Sequence, residues 1–279
     1  AAFQELLDSF DFQSVRLPVY WDRVFQEGRS DFSEVDFLVS RAKEAGLDVI
    51  LSFGAQNFRF PECYVTPEAA EKEGAAFEEE LLAFNRAVLT HFGAEDLVDF
   101  WQVENEPFMI FDPGCRVGPQ VLLREIAQIK DLDKLARPIV LTFGGEAFGL
   151  PFLWPVFRNV DIVGVSFYPR LHDPWLNRYV ETYRLGLLSP RETRREREFV
   201  EGKGKKFWVI EFQAEPWQED PRTMSAEVLE DNWELLLSFG GAERVYFWGV
   251  EWWLKEKKDG RTEIFEAAER LINGPFPRP

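Results

Sequence analysis

The chain predicts an α/β fold in which helices cover both faces of a parallel sheet. Three observations carry that expectation. Segments with a helical hydrophobic period alternate with short apolar runs along the whole chain. The apolar runs, such as residues 48–53 and 138–143, lack polar alternation, so neither face of their sheet meets water. Successive runs stand roughly 25–50 residues apart, enough for a crossover helix between parallel strands.

In order, residues 2–10 carry Leu6, Leu7 and Phe10 and read as the tail of a helix. Residues 14–20 are a strand. Ser33 with Asp36 resembles a capping box, Val35, Phe37, Leu38 and Ala42 give the stripe behind it, and Gly46 ends the helix. Residues 48–53 are the next strand, followed by a long loop with Phe58, Phe60, Pro61, Cys63 and Tyr64. Phe77, Leu81, Phe84, Val88 and Phe92 recur at helical spacing up to Gly93. Residues 97–103 form a buried strand that must stop before Pro107, which cannot donate to a ladder. Glu106 is then the last side chain of that strand.

Leu122, Ile126 and Ile129 mark the following helix, and residues 138–143 and 161–167 the next two strands. Residues 179–200 are charged and helical in pattern. Residues 206–212 are a strand, Ser225 caps a helix with Leu229, Trp233, Leu236 and Leu237, residues 244–248 are the last strand, and residues 262–272 the last helix. That makes seven strands, where a closed (β/α)8 TIM barrel has eight. The chain opens on what reads as the first helix, so the strand that is lacking is the first. No linker interrupts the series, and residues 1–279 are expected to form a single catalytic barrel domain, incomplete at its N-terminus.

With 279 residues, 46% hydrophobic and 15% aromatic, the chain can bury a large core. Its net charge of −17 disfavours nucleic acid and anionic membranes as partners and leaves a neutral substrate as the best fit. No run reaches the roughly 20 apolar residues of a membrane span. A soluble protein, cytoplasmic or secreted, is expected. Two His and two Cys give no metal-ligand spacing, so neither a metal nor any other cofactor is expected. Cys63 and Cys115 fall in loops after adjacent strands, with free thiols as the default and a disulfide as the alternative.

Parallel barrels place their chemistry at the carboxyl ends of the strands. The strands here end in Tyr20-Trp21, Gly54, Glu106, Gly144-Gly145-Glu146, Tyr168, Glu211 and Trp248. Glu106 and Glu211 lie at the tips of different strands, three strand steps apart on a closed ring. Retaining glycoside hydrolysis needs two carboxyls roughly 5–5.5 Å apart, one a nucleophile and one an acid/base. Burial at a strand end raises a carboxyl pKa and suits Glu106 to the acid role. Aromatic and amide side chains supply the remaining lining and suit a sugar, whose C–H faces stack on rings while its hydroxyls bond to amides.

Asn105-Glu106-Pro107 after one strand, with Glu211 ending a later one, resembles the large clan of retaining glycoside hydrolases on (β/α)8 barrels. In that clan the acid/base ends the fourth strand and the nucleophile the seventh. Adding a first strand puts Glu106 and Glu211 on those strands. Val15-Arg16-Leu17-Pro18-Val19-Tyr20-Trp21 resembles the second-strand motif of glycoside hydrolase family 5, the cellulase and mannanase family, and Tyr168 and Trp248 match its sixth- and eighth-strand aromatics. Ser166 and Ser52-Phe53-Gly54 stand where that family carries His.

The resemblance implies that Glu211 attacks the anomeric carbon while Glu106 protonates the leaving oxygen and then deprotonates water. It implies further that Asn105 bonds the sugar 2-hydroxyl, that Arg16 holds Glu211 ionised, that Tyr168 orients Glu211, and that Trp248 floors the sugar. Gln213 and Trp217, just past the nucleophile, add sugar contacts. Glu104 is expected to be a bystander, and Glu146 and Glu215 loop carboxylates. Trp252-Trp253 either line a subsite or pack under a loop. His91 fits a helix C-terminus, where a cation complements the dipole, and His172 lies on the loop after Tyr168. The expected activity is β-glycoside hydrolysis on a neutral oligo- or polysaccharide. A carbohydrate-binding or idle barrel is the alternative, and a carboxylate-metal isomerase a third reading.

Overall fold

The computed structural model describes residues 2–26, 29–94, 96–109, 115, 117–144, 149–173, 177–185, 190–217 and 220–274. They form two compact units. One spans residues 13–164. The other joins residues 1–12, which hold helix α1 (Ala2–Ser9), to residues 165–279.

The unit of residues 13–164 runs β1 (Ser14–Pro18), α2 (Trp21–Val24), the hairpin β2 (Phe25–Gln26) and β3 (Arg29–Ser30), α3 (Ser33–Glu44), β4 (Asp48–Phe53), α4 (Pro67–Ala70) and α5 (Gly74–Phe92). It continues with β5 (Phe100–Val103), α6 (Pro119–Leu132), β6 (Ile139–Phe143) and α7 (Gly149–Phe157). Strand β1 pairs in parallel with β4, β4 with β5 and β5 with β6, so that Arg16 lies opposite Ile50, Ile50 opposite Phe100 and Gln102 opposite Val140. Every residue of β6 is buried and only Asp48 of β4 is not, as strands covered on both faces require. Trp21 of α2 stacks on Phe84 of α5 at 5.2 Å, and on adjacent strands Phe53 meets Trp101 edge-on at 5.9 Å. The Trp101 indole N–H donates to Asp133, which forms a buried ion pair with Arg137 at 2.7 Å.

Helix α3 and the start of strand β5 differ from expectation. Helix α3 has no capping box: Ser33 is already helical, Phe32 is the cap residue, and the Ser33 N–H donates to Asp31 instead. Strand β5 is shorter than residues 97–103, because Asp99 turns its carboxylate onto the Val49 N–H and Lys43, and sheet pairing starts at Phe100.

Strand β7 (Ile162–Phe167) crosses the boundary between the units. The second unit continues with β8 (Arg170–Asp173) and β9 (Arg178–Glu181), which pair antiparallel, then α8 (Pro190–Glu201), β10 (Lys206–Gln213) and α9 (Ala226–Ser238). It ends with β11 (Val245–Trp248), α10 (Val250–Lys258) and α11 (Glu263–Asn273). The β8–β9 hairpin replaces the first part of the helix expected over residues 179–200. Strand β10 pairs in parallel with β11 and carries a bulge, since Val209 faces Val245 while Phe212 faces Phe247. Phe167 stacks on Phe212 at 5.7 Å, and Trp233 on Phe247 at 5.8 Å. Helix α1 is held by Phe10, whose ring lies 4.9 Å from that of Phe265. Ser225 caps α9 as expected, accepting from the Val228 N–H.

The seven long strands follow the sheet order β1-β4-β5-β6-β7-β10-β11, matching the number read from the sequence. Among the described residues no helix is long and apolar enough to cross a membrane.

Candidate active site

The Glu104-Asn105-Glu106 turn grows directly out of β5, but Glu106 is not the last residue of the strand, as the sequence suggested. Pairing stops at Val103, and Glu104 and Glu106 then take left-handed backbone at φ 56° and 46°. Such φ values are uncommon outside glycine and have to be held by surrounding contacts. The contacts are specific. The Glu106 N–H donates to the Thr142 hydroxyl at 2.6 Å. The Asn105 N–H donates to the Gln56 carbonyl at 2.9 Å. The Glu104 carboxylate accepts the backbone N–H groups of Ala55 and Gln56 at 2.8 and 2.6 Å.

Two glycines make room for these carboxylates. A Cβ on Gly54 would lie 2.4 Å from the Glu104 carboxyl, and one on Gly144 would lie 2.7 Å from that of Glu106. Glu106 itself is buried, with 6% of its surface exposed. Glu104 is fully buried and points away from solvent, against Glu125 of α6. Asn85 of α5 donates to Glu125 at 2.8 Å. Burial pushes the Glu104 carboxyl up to about 7 against the pull of its two backbone donors. Burial, and then the charge of Glu104, pushes Glu125 well above the carboxylate range. Glu104, held by the two backbone N–H groups, acts as an anchor of the turn.

Arg16 of β1 reads the other side of the turn. Its Nε donates to Gln102 at 2.6 Å, its Nη2 donates to the Asn105 side-chain carbonyl at 2.6 Å, and its guanidinium lies 4.0 Å over the Phe58 ring. Asn105 is thereby fixed as an acceptor toward Arg16 and a donor outward, where its Nδ2 meets the Glu62 carboxylate at 3.4 Å. Cys63 and Cys115 form a disulfide, with Cα atoms 5.6 Å apart, which corrects the default of free thiols. Loop closure around Gln56, which bridges to Cys63, brings the two sulfurs together.

In the second unit, Glu211 lies inside the β10 bulge, two residues short of the strand end, with 5% of its surface exposed. A bulge re-aims the side chain it carries. The Tyr168 phenol, just past β7, donates to Glu211 Oε2 at 3.0 Å. Trp217 packs edge-on against Tyr168 at 5.3 Å. Gln213 is fully buried, and its amide both accepts from and donates to the Arg170 backbone, at 3.2 and 2.7 Å. Its side chain therefore braces the start of β8. Trp248 ends β11 half-buried, and Gly249 behind it, at φ 101°, packs closely on Glu215.

Several aromatic and histidine alternatives take their packing roles. Trp253 lies buried on α10 and donates its indole N–H to the Ala214 carbonyl. His91 pairs with Asp36 at 2.7 Å in the last turn of α5, and His172 contacts Asn177 across the β8–β9 hairpin. Glu146 lies outside the described residues. Glu62, Glu125 and Thr142 did not stand out in the sequence, and Gly144 did so only as a strand end. Glu125 left a signal: it shares the buried stripe of α6 with Leu122, Ile126 and Ile129.

No family model and no curated protein matches the chain. Solved structures do. The GH5_18 protein of Streptomyces cattleya, in complex with GlcNAc, shares 16% identity at a TM-score of 0.65, over 99% of this chain and 76% of that one. A structure of fungal β-1,4-galactanases gives 17% and 0.60, over 92% and 83%. The β-galactosidase of the psychrophilic Marinomonas ef1 gives 16% and 0.61, over 88% of this chain and 51% of that one, so the chain spans about half of that enzyme. At such identities the likeness establishes the fold, an α/β architecture of TIM-barrel type that glycoside hydrolases of several families share.

Proposed function

We propose that the chain is a glycoside hydrolase that cleaves β-glycosidic bonds by a retaining double displacement, with Glu211 as nucleophile and Glu106 as acid/base. The observation that carries the reading is the Tyr168–Glu211 hydrogen bond at 3.0 Å. It gives a buried carboxylate a fixed direction, with Oε2 held by a phenol. Structural neighbours that include β-galactosidase and β-1,4-galactanase structures support the reaction class.

In this reading Glu211 attacks the anomeric carbon as Glu106 gives its proton to the leaving oxygen. Glu106 then takes a proton from water, which releases the sugar with its starting configuration. Arg16 fixes Asn105 so that Nδ2 points outward to the 2-hydroxyl. Tyr168 stabilises the ionised nucleophile, Trp217 backs Tyr168, and Trp248 stacks under the sugar. Gln213 serves by bracing the β8–β9 hairpin and not by touching substrate. The substrate is a neutral oligo- or polysaccharide, consistent with a net charge of −17.

Azide separates the two roles. Glu211→Ala with azide should give the inverted glycosyl azide by direct displacement. Glu106→Ala, on a substrate with a good leaving group, should give the retained azide through the glycosyl-enzyme. Full activity in either alanine variant would refute the assignment. Calorimetric sugar binding without product on long incubation would instead identify a binding barrel.

A further inference from the structure

Phe60 is 94% exposed, the most exposed large hydrophobic side chain among the described residues. A lone exposed phenylalanine needs no explanation in itself. What demands one is the rigidity of the loop that presents it, residues 54–64 at the carboxyl end of β4. The Asn57 N–H donates to the Glu62 carbonyl, the Glu62 N–H to Arg59 and the Tyr64 N–H to Ala55. The Tyr64 hydroxyl donates to the Arg59 and Phe60 carbonyls, and the Tyr20 hydroxyl donates to that of Phe58. Tyr20 and Tyr64 lie ring to ring at 4.0 Å, and the Cys63–Cys115 disulfide ties the loop to the segment after β5. Arg59 and Glu62, on either side of the pair Phe60-Pro61, stand at φ 79° and 67°, a conformation such residues keep only where surroundings impose it.

The loop also brackets Phe60 between two contacts to the candidate site. Phe58 lies under the Arg16 guanidinium, and Glu62 meets the Asn105 Nδ2. Phe60 is two residues from each, so its Cα lies within roughly 7 Å of theirs, on the loop that touches the group proposed to read the 2-hydroxyl. A ring held rigidly in water loses little entropy when a flat apolar face settles on it.

We propose that Phe60 is the aromatic platform of a further sugar subsite, stacking on the C–H face of a pyranose next to the one cleaved. The identity of the cleaved unit rests on the hydrolase reading above. It follows that the protein prefers oligosaccharides to monosaccharide glycosides, with the loop of residues 54–64 as the wall that measures chain length.

The test uses the full chain with β-1,4-linked gluco-, manno- and galacto-oligosaccharides of two to five units and the matching 4-nitrophenyl monoglycosides. Phe60→Ala should lower kcat/KM on the preferred oligosaccharide about tenfold and leave the monoglycoside within about twofold, while Phe60→Tyr keeps both near wild type. Equal loss on both substrates, no loss on either, or a Tyr variant as weak as the Ala variant would overturn the proposal. Titration calorimetry with the same oligosaccharides reads the subsite without turnover: Phe60→Ala should weaken binding about tenfold. Wild-type protein that binds but does not hydrolyse, with that weakening present, would refute the hydrolase reading and leave the subsite standing; unchanged affinity would remove the subsite alone.

Discussion

Gly144 and Glu106 share one small volume, and that contact sets the sharpest expectation for a single residue. An alanine at position 144 would drive its Cβ to 2.7 Å from the Glu106 carboxyl. Moving an acid/base by about 1 Å costs on the order of a hundredfold in rate, so Gly144→Ala should lower kcat by about that factor with little change in KM. The Glu104–Glu125 pair sets another. Both carboxyls hold protons more tightly in the folded state than when unfolded. The contribution of Glu104 to stability is therefore complete below the ordinary value of 4.5 and is lost as pH rises through about 7, and that of Glu125 is lost in the same direction. Calorimetric melting across pH 4–9 should show Tm falling over that window, and Glu125→Gln, which keeps the hydrogen bonds and removes the second charge, should flatten the fall. Glu106 and Glu211 stood out in the sequence as carboxylates closing apolar runs, and both are buried in the structure. The anchoring role of Glu104 did not stand out, because the period-two rule puts it on the same side as Glu106, and the left-handed turn breaks that rule.

At the scale of elements, the loop of residues 54–64 and the segment after β5 are joined by the Cys63–Cys115 disulfide across 52 residues. A crosslink that closes a loop restricts the unfolded chain. Replacing both cysteines with alanine should lower stability in urea by about 2–4 kcal/mol. Pairing was hidden from the sequence because it depends on how two long loops fold back, and spacing alone does not report that. The same limit hid the β8–β9 hairpin. Tyr179, Val180 and Glu181 lie in a run so rich in charge that its helical pattern dominated, while their strand pairing depends on partners from Arg170 to Asp173. Helix α10 escaped notice because only Gly249 separates it from β11.

For the whole molecule, the fold was the most legible feature. Apolar strands alternating with amphipathic helices leave few architectures open, and the seven strands of the sheet could be counted from the apolar runs. The charge of −17 acts at this scale too. Anionic glycans should be poorer substrates than neutral ones of the same linkage, and the gap should narrow as salt rises from 0.01 to 0.5 M, because screening shortens the reach of the field. The central claim, that Glu211 becomes glycosylated, is open to one direct measurement. A 2-deoxy-2-fluoro β-glycoside with a good leaving group slows both steps and lets the covalent intermediate accumulate. Mass spectrometry of the digested protein should then find the fluorosugar on Glu211, within the β10 peptide from Phe207 to Gln213. An adduct on any other residue would contradict the assignment, as would turnover with inversion at the anomeric carbon.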